Sequence, residues 1–553
     1  MTERKPIPNS HRESTPPPAT SSATPGAAAA GGPAPTLQDD PHGLRTLAAK
    51  RAEALEMGGA EKIAKQHARG RLTARERIAR LLDVDTFHEY APLARSELPE
   101  MRPKTPAEGK ICGDGLIEGR RVFLTADDAT VLAGAGGRLA MLKVKQHVEY
   151  AIRKGYPVVN LGDAAGVRMP DNMGSANMMR MARVNYGQPR RRQVPVVACI
   201  LGDCYGDPSW TAARADVVVM VKGCVMAVAG PRILGDATGE RVSKEELGGW
   251  EVHARTTGQV DLFAEDEAHC FALVRQVLGY LPSNAGELPP VVDPARAPRR
   301  PQEDLLKILP ASGRVAFDMH KVLDVVFDDG GVLELKPLYD RSLITALARL
   351  DGHTVGILAN NSMHHAGAMG PAACEKATSF ICLCDSYHIP MVTFHDTPGF
   401  YVSKAAEERK LPLKIMTYLD AWHQSTVPRI GVIVRKSYGI AHRNMIGAGM
   451  SADMLIAWPT ADVSFMAPDG AVSVVFGTKL QESTDPEADR ARYLEVINTA
   501  NQPWEAAEIH EVDTIVDPRE TRAELIAALQ RARGADGQRG RSARHLANWP
   551  TGF

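Results

Sequence analysis

Three landmarks recur in this chain at a nearly fixed spacing, and that spacing constrains the fold more than any single motif does. Asp163 and Asp396 each follow an apolar run (PVVNLGD, PMVTFHD), each precede a glycine turn, and lie 233 residues apart. Tyr205-Gly206 in GDCYG and Tyr438-Gly439 in RKSYG are also 233 apart. Asp216 in ADVVVMV and Asp453 in ADMLIAW follow at 237. One order kept at one offset implies a duplicated unit; generic α/β texture is the alternative. Short β-branched runs alternate with helical segments and glycine turns throughout (VFLTADD, PVVACILGD, VGILANNS), which predicts an α/β class. Two similar halves can leave a cleft between them, and domain interfaces are favoured places for ligand sites.

Residues 1–40 are rich in Pro, Ser, Ala, Thr and Gly and offer little apolar area, so a disordered tail is expected there. Residues 43–82 carry helical periodicity, and Thr73 followed by Glu76 predicts a capping box. The aperiodic stretch PPVVDPARAPRRPQED at 289–304 marks a linker, set at 291–304 between halves at 41–290 and 305–553. With 44% hydrophobic and 24% charged residues and a net charge of -1, nothing pulls the chain toward nucleic acid or an anionic membrane. No apolar run is long enough to span a membrane, and the N-terminus has no apolar signal core, so a cytoplasmic protein is expected. The eight cysteines form no C-x-x-C pair and sit largely in apolar runs, which reads as buried free thiols. The histidines lack metal-ligand spacing, and no metal is expected. His395 and His442, inside the repeated turns, could line the cleft.

At ARGRLTARERIARLLD (68–83), GDAAGVRMP (162–170), GPRILGDATGERVSKEELGG (230–249), HDTPGF (395–400) and AWPTADVSFMAPDGAVSVVF (457–476), the chain resembles carboxyltransferase β subunits of biotin-dependent acyl-CoA carboxylases, propionyl-CoA carboxylase type. The resemblance runs from about residue 45 to about 540. It implies two tandem crotonase-like (ClpP/crotonase) ββα-superhelix domains and a core of six copies of this chain. Biotin would arrive on a biotin carboxylase/biotin carboxyl carrier α subunit, because no biotinylation lysine or ATP-binding region is visible in this chain. A coenzyme A thioester would be the acceptor.

Removing an α-proton from a thioester places negative charge on its oxygen, and preorganised N–H donors stabilise that charge. Helix N-termini present such donors. By the resemblance, backbone amides of Gly206 and Asp207 would serve the thioester, and those of Ile440 and Ala441 would serve biotin. Ala165, Gly166, Arg168, Tyr205, Tyr438, Gly439 and Arg443 would contact substrate, with Arg168 a candidate for coenzyme A phosphate. Structural strand-to-helix turns are the alternative. No side-chain base is assigned in such proteins, since the released biotin can take the proton.

The chain departs from its relatives at these positions. Asp207 and Ile440 replace glycines, and Ala165-Gly166 replaces a glycine pair. Asp207 adds a carboxylate beside a site for developing negative charge. Arg443 stands where propionyl-type members have an aspartate that influences acyl choice, a large change in local potential. Arg443 could accept a polar or carboxylate-bearing acyl group, or it could pair with Asp207 or another acid. Two rival functions stay open: a decarboxylase running the transfer backwards, and a degenerate scaffold that only binds coenzyme A.

Overall fold

The computed structural model describes residues 40–185, 191–293, 300–310, 312–313, 315–533 and 544–549. The chain divides into two compact units, Met1–Lys50 and Arg51–Phe553. In the first, the Asp40 carboxylate accepts the N–H groups of Arg45 and Thr46 at the start of the helix Leu44–Leu55. The expected tail at 1–39 and residues 294–299 of the expected linker lie outside the described residues. The linker's last three residues, Gln302–Asp304, form a 3-10 turn.

The second unit holds both halves of the repeat. The first half has β1 (His88–Tyr90), β2 (Lys110–Ile117), β3 (Arg120–Asp127), β4 (Val158–Gly162), β5 (Val196–Ile200), β6 (Asp203–Tyr205), β7 (Val217–Val221), β8 (Val225–Ala227) and β9 (Leu262–Ala264). The second has β10 (Val332–Leu335), β11 (Leu343–Leu350), β12 (His353–Asn360), β13 (Met391–Thr397), β14 (Arg429–Tyr438), β15 (Met454–Ala457), β16 (Asp462–Ser464) and β17 (Thr514–Ile515). The sheet orders are β1-β2-β3-β4-β5-β7-β9 and β10-β11-β12-β13-β14-β15-β17. In each, an antiparallel hairpin (β2–β3, β11–β12) leads into parallel strands. The strands read as continuous apolar runs because both faces are covered; β7 and β11 are buried along their whole length.

The repeat holds at the level of single hydrogen bonds. Tyr205 pairs with Ala227 and Tyr438 with Ser464, keeping the 233 and 237 offsets. Asp216 accepts the Val196 N–H and Asp453 accepts the Arg429 N–H. Buried Lys143 donates to the Lys110 carbonyl, and buried Lys376 donates to the Leu343 carbonyl, both at 2.7 Å. Burial pulls both ammonium groups down, Lys376 to about 8. These paired lysines escaped the sequence analysis, although the 233 spacing was there to find them. Thr73 and Glu76 form the predicted capping box, and all eight cysteines are buried and free.

Each repeated aspartate is neutralised beneath the sheet ends. Asp163 accepts from Arg77 at 2.9 Å and Gln66 at 3.1 Å. Asp396 accepts from Arg435 Nε at 3.1 Å and Nη2 at 2.9 Å, and is fully buried. Deleting the nearer of two cations leaves Asp396 only Lys436, at 3.5 Å, so Arg435→Met is expected to cost about 3 kcal/mol of unfolding free energy, the lower end for a broken buried pair. Urea titration checks this; a loss near zero would show that Asp396 does not depend on its guanidinium.

Candidate functional site

Each expected turn is a strand end, a glycine and a short helix. Gly206 has φ 67 and ψ −121 and precedes the helix Asp207–Ala213. Gly439 has φ 60 and ψ −147 and precedes the helix Ile440–Asn444. A side chain is strained at such angles, so both positions demand glycine. The conformation turns the chain from strand into helix within one residue.

Those amides are not equivalent in the two halves. The Gly206 N–H donates to the Ala227 carbonyl at 3.0 Å, and the Gly439 N–H donates to the Ser464 carbonyl at 2.9 Å. This corrects the expectation that Gly206 offers a donor to substrate: strand β8 takes that hydrogen. Asp207 opens its helix at a position the helix itself does not satisfy, but the next residue, Pro208, has no N–H. The second turn carries Ile440 and Ala441 in succession, and neither amide has a partner among the described residues.

The first turn abuts the loop after β4. Tyr205 donates its N–H to the Ala164 carbonyl at 3.2 Å. A Cβ on Gly166 would sit 2.9 Å from the Tyr205 carbonyl, so the close approach requires glycine. The Gly166 amide has no partner among the described residues, whereas the N–H of exposed Ala165 donates to Ala133. The GAGG run at 134–137 is the turn under this loop: a Cβ on Gly134 would lie 2.5 Å from the Asp163 carbonyl.

Two further expectations fail. Arg168 is only 3% exposed and is held by Asp171 and Glu108 at 2.6 Å each. It ties the loop to its surroundings and cannot reach a phosphate from there. Tyr438 is buried, and its hydroxyl donates to Asp462; burial and that carboxylate push its pKa up. Tyr205 stays half-buried, with its ring beside Gly230.

Asp207 does not pair with Arg443. It borders a cavity of about 50 Å³ together with Lys110 and Asp127. Lys110 and Asp127 form a buried ion pair. Burial pulls the Lys110 ammonium down, but Asp127 and Asp207 outweigh it and raise its pKa. Arg443 is exposed and has no ion pair among the described residues. The cavity of about 330 Å³ where the halves meet is lined by polar groups such as Asp261, Lys336, Glu375 and Lys376. Gly206, Asp207, Ile440 and Ala441 are not among the residues that line it. Exposed apolar side chains accompany each turn instead: Val167, Val228 and Ile233 in the first half, and Val402, Ile440 and Phe465 in the second.

The repeated-turn histidines are packed inside. His395 is fully buried and His442 partly so, and both join Ser437 Oγ, at 3.0 and 2.8 Å. Burial, then its neighbour His442, holds His395 well below the usual imidazole range; burial pushes His442 down to about 4. Both rings are therefore neutral at pH 7 and are not poised for acid–base exchange. The unfolded chain protonates His442 near 6.5, before the folded one does. Stability then rises with pH across that window, and it falls by about 3 kcal/mol from His442 between pH 6.5 and 4. His395 adds in the same direction. Urea midpoints at pH 7 and pH 5 check this: His442→Gln should flatten the slope, and an unaltered slope would show an ordinary imidazole.

Among the described residues, no group of three or more His, Cys, Asp or Glu is arranged to hold a metal ion. No helix there is long and apolar enough to cross a membrane.

A carboxyl transferase domain profile matches residues 65–542. The chain is 36% identical over 496 residues to the propionyl-CoA carboxylase carboxyltransferase subunit of Haloferax mediterranei, covering 88% of this chain and 95% of that protein. It is 34% identical over 491 residues to the methylmalonyl-CoA decarboxylase subunit alpha of Veillonella parvula, covering 88% and 95%. Among solved structures, the hexameric transcarboxylase 12S with methylmalonyl-coenzyme A and methylmalonic acid bound superposes with a TM-score of 0.83. That alignment has 32% identity and covers 90% of this chain and 96% of the other.

Proposed function

The chain belongs to the carboxyl transferase family, with two crotonase-like halves, and from that premise we propose that it is the carboxyltransferase subunit of a biotin-dependent acyl-CoA carboxylase. The observation that supports this most is the duplicated glycine-to-helix turn, with the Ile440 and Ala441 amides left unpaired. Two adjacent N–H groups at a helix start suit one oxygen that gains negative charge. Carboxybiotin on a carrier protein would supply the carboxyl group, and its ureido oxygen would sit at this second turn.

The first turn would hold the thioester oxygen. Its donor would be the Gly166 amide, across the abutting loop, rather than Gly206. As the ureido N–C bond to the carboxyl group breaks, the freed biotin would take the α-proton, charge would move onto that oxygen, and the α-carbon would bond to the released carboxyl carbon. Tyr205 and Ala165 border the same opening. A biotin carboxylase and biotin carrier α subunit would complete the enzyme in the cytoplasm. Further copies of this chain, six in the full core, would cover the apolar side chains beside the turns.

Arg443 follows Ile440 by three residues and is the position we assign to acyl choice. A charge-assisted hydrogen bond from its guanidinium favours a polar or carboxylate-bearing acyl group. Arg443→Asp is expected to shift preference toward propionyl-CoA by about 10- to 100-fold, the worth of one such bond. A panel of short acyl-CoAs checks this, and an unaltered preference would remove the role.

The function itself is tested in two ways. The chain should co-purify with a biotinylated partner, seen by streptavidin blot. It should also transfer carboxyl from methylmalonyl-CoA to free biotin, the direction in which its decarboxylase relative is named. Failure of both would leave only a scaffold.

A further inference from the structure

The hydrogen bonds behind the second turn have only one consistent direction. The Thr393 hydroxyl donates to the Met445 carbonyl at 2.5 Å, so its oxygen must accept from His395 Nε2, 3.2 Å away. His395 Nδ1 is then the acceptor, and the Ser437 hydroxyl donates to it at 3.0 Å. With its hydrogen spent, Ser437 Oγ accepts from His442 Nδ1 at 2.8 Å. His442 Nε2 is left as acceptor for the Ala448 N–H, also at 2.8 Å. Every donor and acceptor in the series is used once, and both imidazoles carry one hydrogen.

The series begins at the Ala448 amide and ends at the Met445 carbonyl. Neither end gives or takes a proton, so it is not a proton relay. It instead closes a ring around the loop that follows the helix Ile440–Asn444. Gly447 makes room for it: a Cβ there would lie 2.2 Å from His442 Nε2. The helix is pinned on its other side by the helix Leu411–Gln424. Trp422 Nε1 donates to the Asn444 carbonyl at 2.8 Å, and Asn444 Nδ2 donates to the Ile415 carbonyl at 3.1 Å. His442 directly follows the two unpaired amides, so fixing its ring fixes the first turn.

We propose that the closed chain Ala448–His442–Ser437–His395–Thr393–Met445 is a positioning device that aims the Ile440 and Ala441 amides at the ligand oxygen. His442 and Ser437 are positioning residues that do not touch the ligand. The proposal rests on the transferase reading for what the amides hold, and on geometry alone for their being held.

Ser437→Ala tests it, because the change leaves two imidazole nitrogens without their partner. Two measurements are made on the full chain in its native assembly. The first is hydrogen exchange of backbone amides in residues 439–448, which should quicken. The second is carboxyl transfer from methylmalonyl-CoA to free biotin. Misaiming a donor pair should lower kcat about 10- to 100-fold and leave KM for methylmalonyl-CoA unchanged. His442→Asn, which keeps a donor toward Ser437, should retain more activity than His442→Ala. Wild-type kcat and exchange in Ser437→Ala would overturn the proposal, as would equal damage to KM for both substrates. Should that variant not fold, Thr393→Val removes the last two links, to His395 and Met445, and carries the same test. If the wild type transfers nothing while exchange at 439–448 still quickens in the variant, the transferase reading fails and the positioning stands.

Discussion

A buried carboxylate at the end of the second parallel strand, neutralised chiefly by a guanidinium with a second cation beside it, is the interaction on which each half depends. Asp163 and Asp396 sit where a strand becomes a glycine loop, and their charge must be met inside the protein. The two halves meet it differently. Arg77 arrives from the helix Ala74–Leu81 ahead of the sheet and also grips Glu267 at 2.7 Å. Arg435 arrives from β14, next to Asp396, and also donates to the Val315 carbonyl. The strand-end backbone is the same in both: the Asp163 N–H donates to Asp127, and the Asp396 N–H donates to Asn360. Glycines permit the approach, since a Cβ on Gly202 would fall 1.7 Å from an Asp163 oxygen. One anion position kept with two sources of cation is what duplication followed by drift produces.

That fixed frame makes the contrast between the two turns informative. In both, the neighbouring strand claims the glycine amide, so the glycine supplies curvature rather than a donor. After it, Pro208 removes one amide from the first helix, while Ile440 and Ala441 keep both in the second. The first turn must borrow from the adjoining loop, where Gly166 lies against the Tyr205 carbonyl. The second turn is self-sufficient but short, and a helix of five residues has little stability of its own. Packing from the helix Leu411–Gln424 and the ring of polar groups at His442 substitute for length.

The duplication, the α/β class and the position of both turns were legible because they are written in local patterns at a constant offset. What was not legible depends on partners distant in sequence. Arg168 beside a glycine loop reads as a phosphate contact, yet Glu108, sixty residues earlier, and Asp171 occupy it. Tyr438 reads as a wall of the site until β16 brings Asp462 to its hydroxyl. The Gly206 amide reads as a donor until β8 pairs with β6 and its last residue, Ala227, takes the hydrogen. Both strand pairings cross loops whose course a single sequence does not reveal. A cleft between the halves was inferred from symmetry alone, and symmetry does not say which faces pack together. The buried lysines were missed for another reason: isolated lysines in helical segments read as solvated, although their 233-residue spacing marks them as one repeated position.

The substitution of Asp207 for glycine is less disruptive than its charge suggests, because of where the carboxylate lies. It borders the small cavity behind β3, β4 and β5, where Lys110 already serves Asp127. The second half has Leu343 and Asn360 at the positions 233 residues on from Lys110 and Asp127, so that ion pair is not repeated there. A thioester oxygen at the first turn would feel Asp207 only through the compensating field of Lys110. The second turn acts through backbone dipoles. Its strength depends on orientation, and orientation there is set by hydrogen bonds between neutral side chains. The two halves thus reach similar turn geometry by different means, the first by balancing charge and the second by immobilising dipoles.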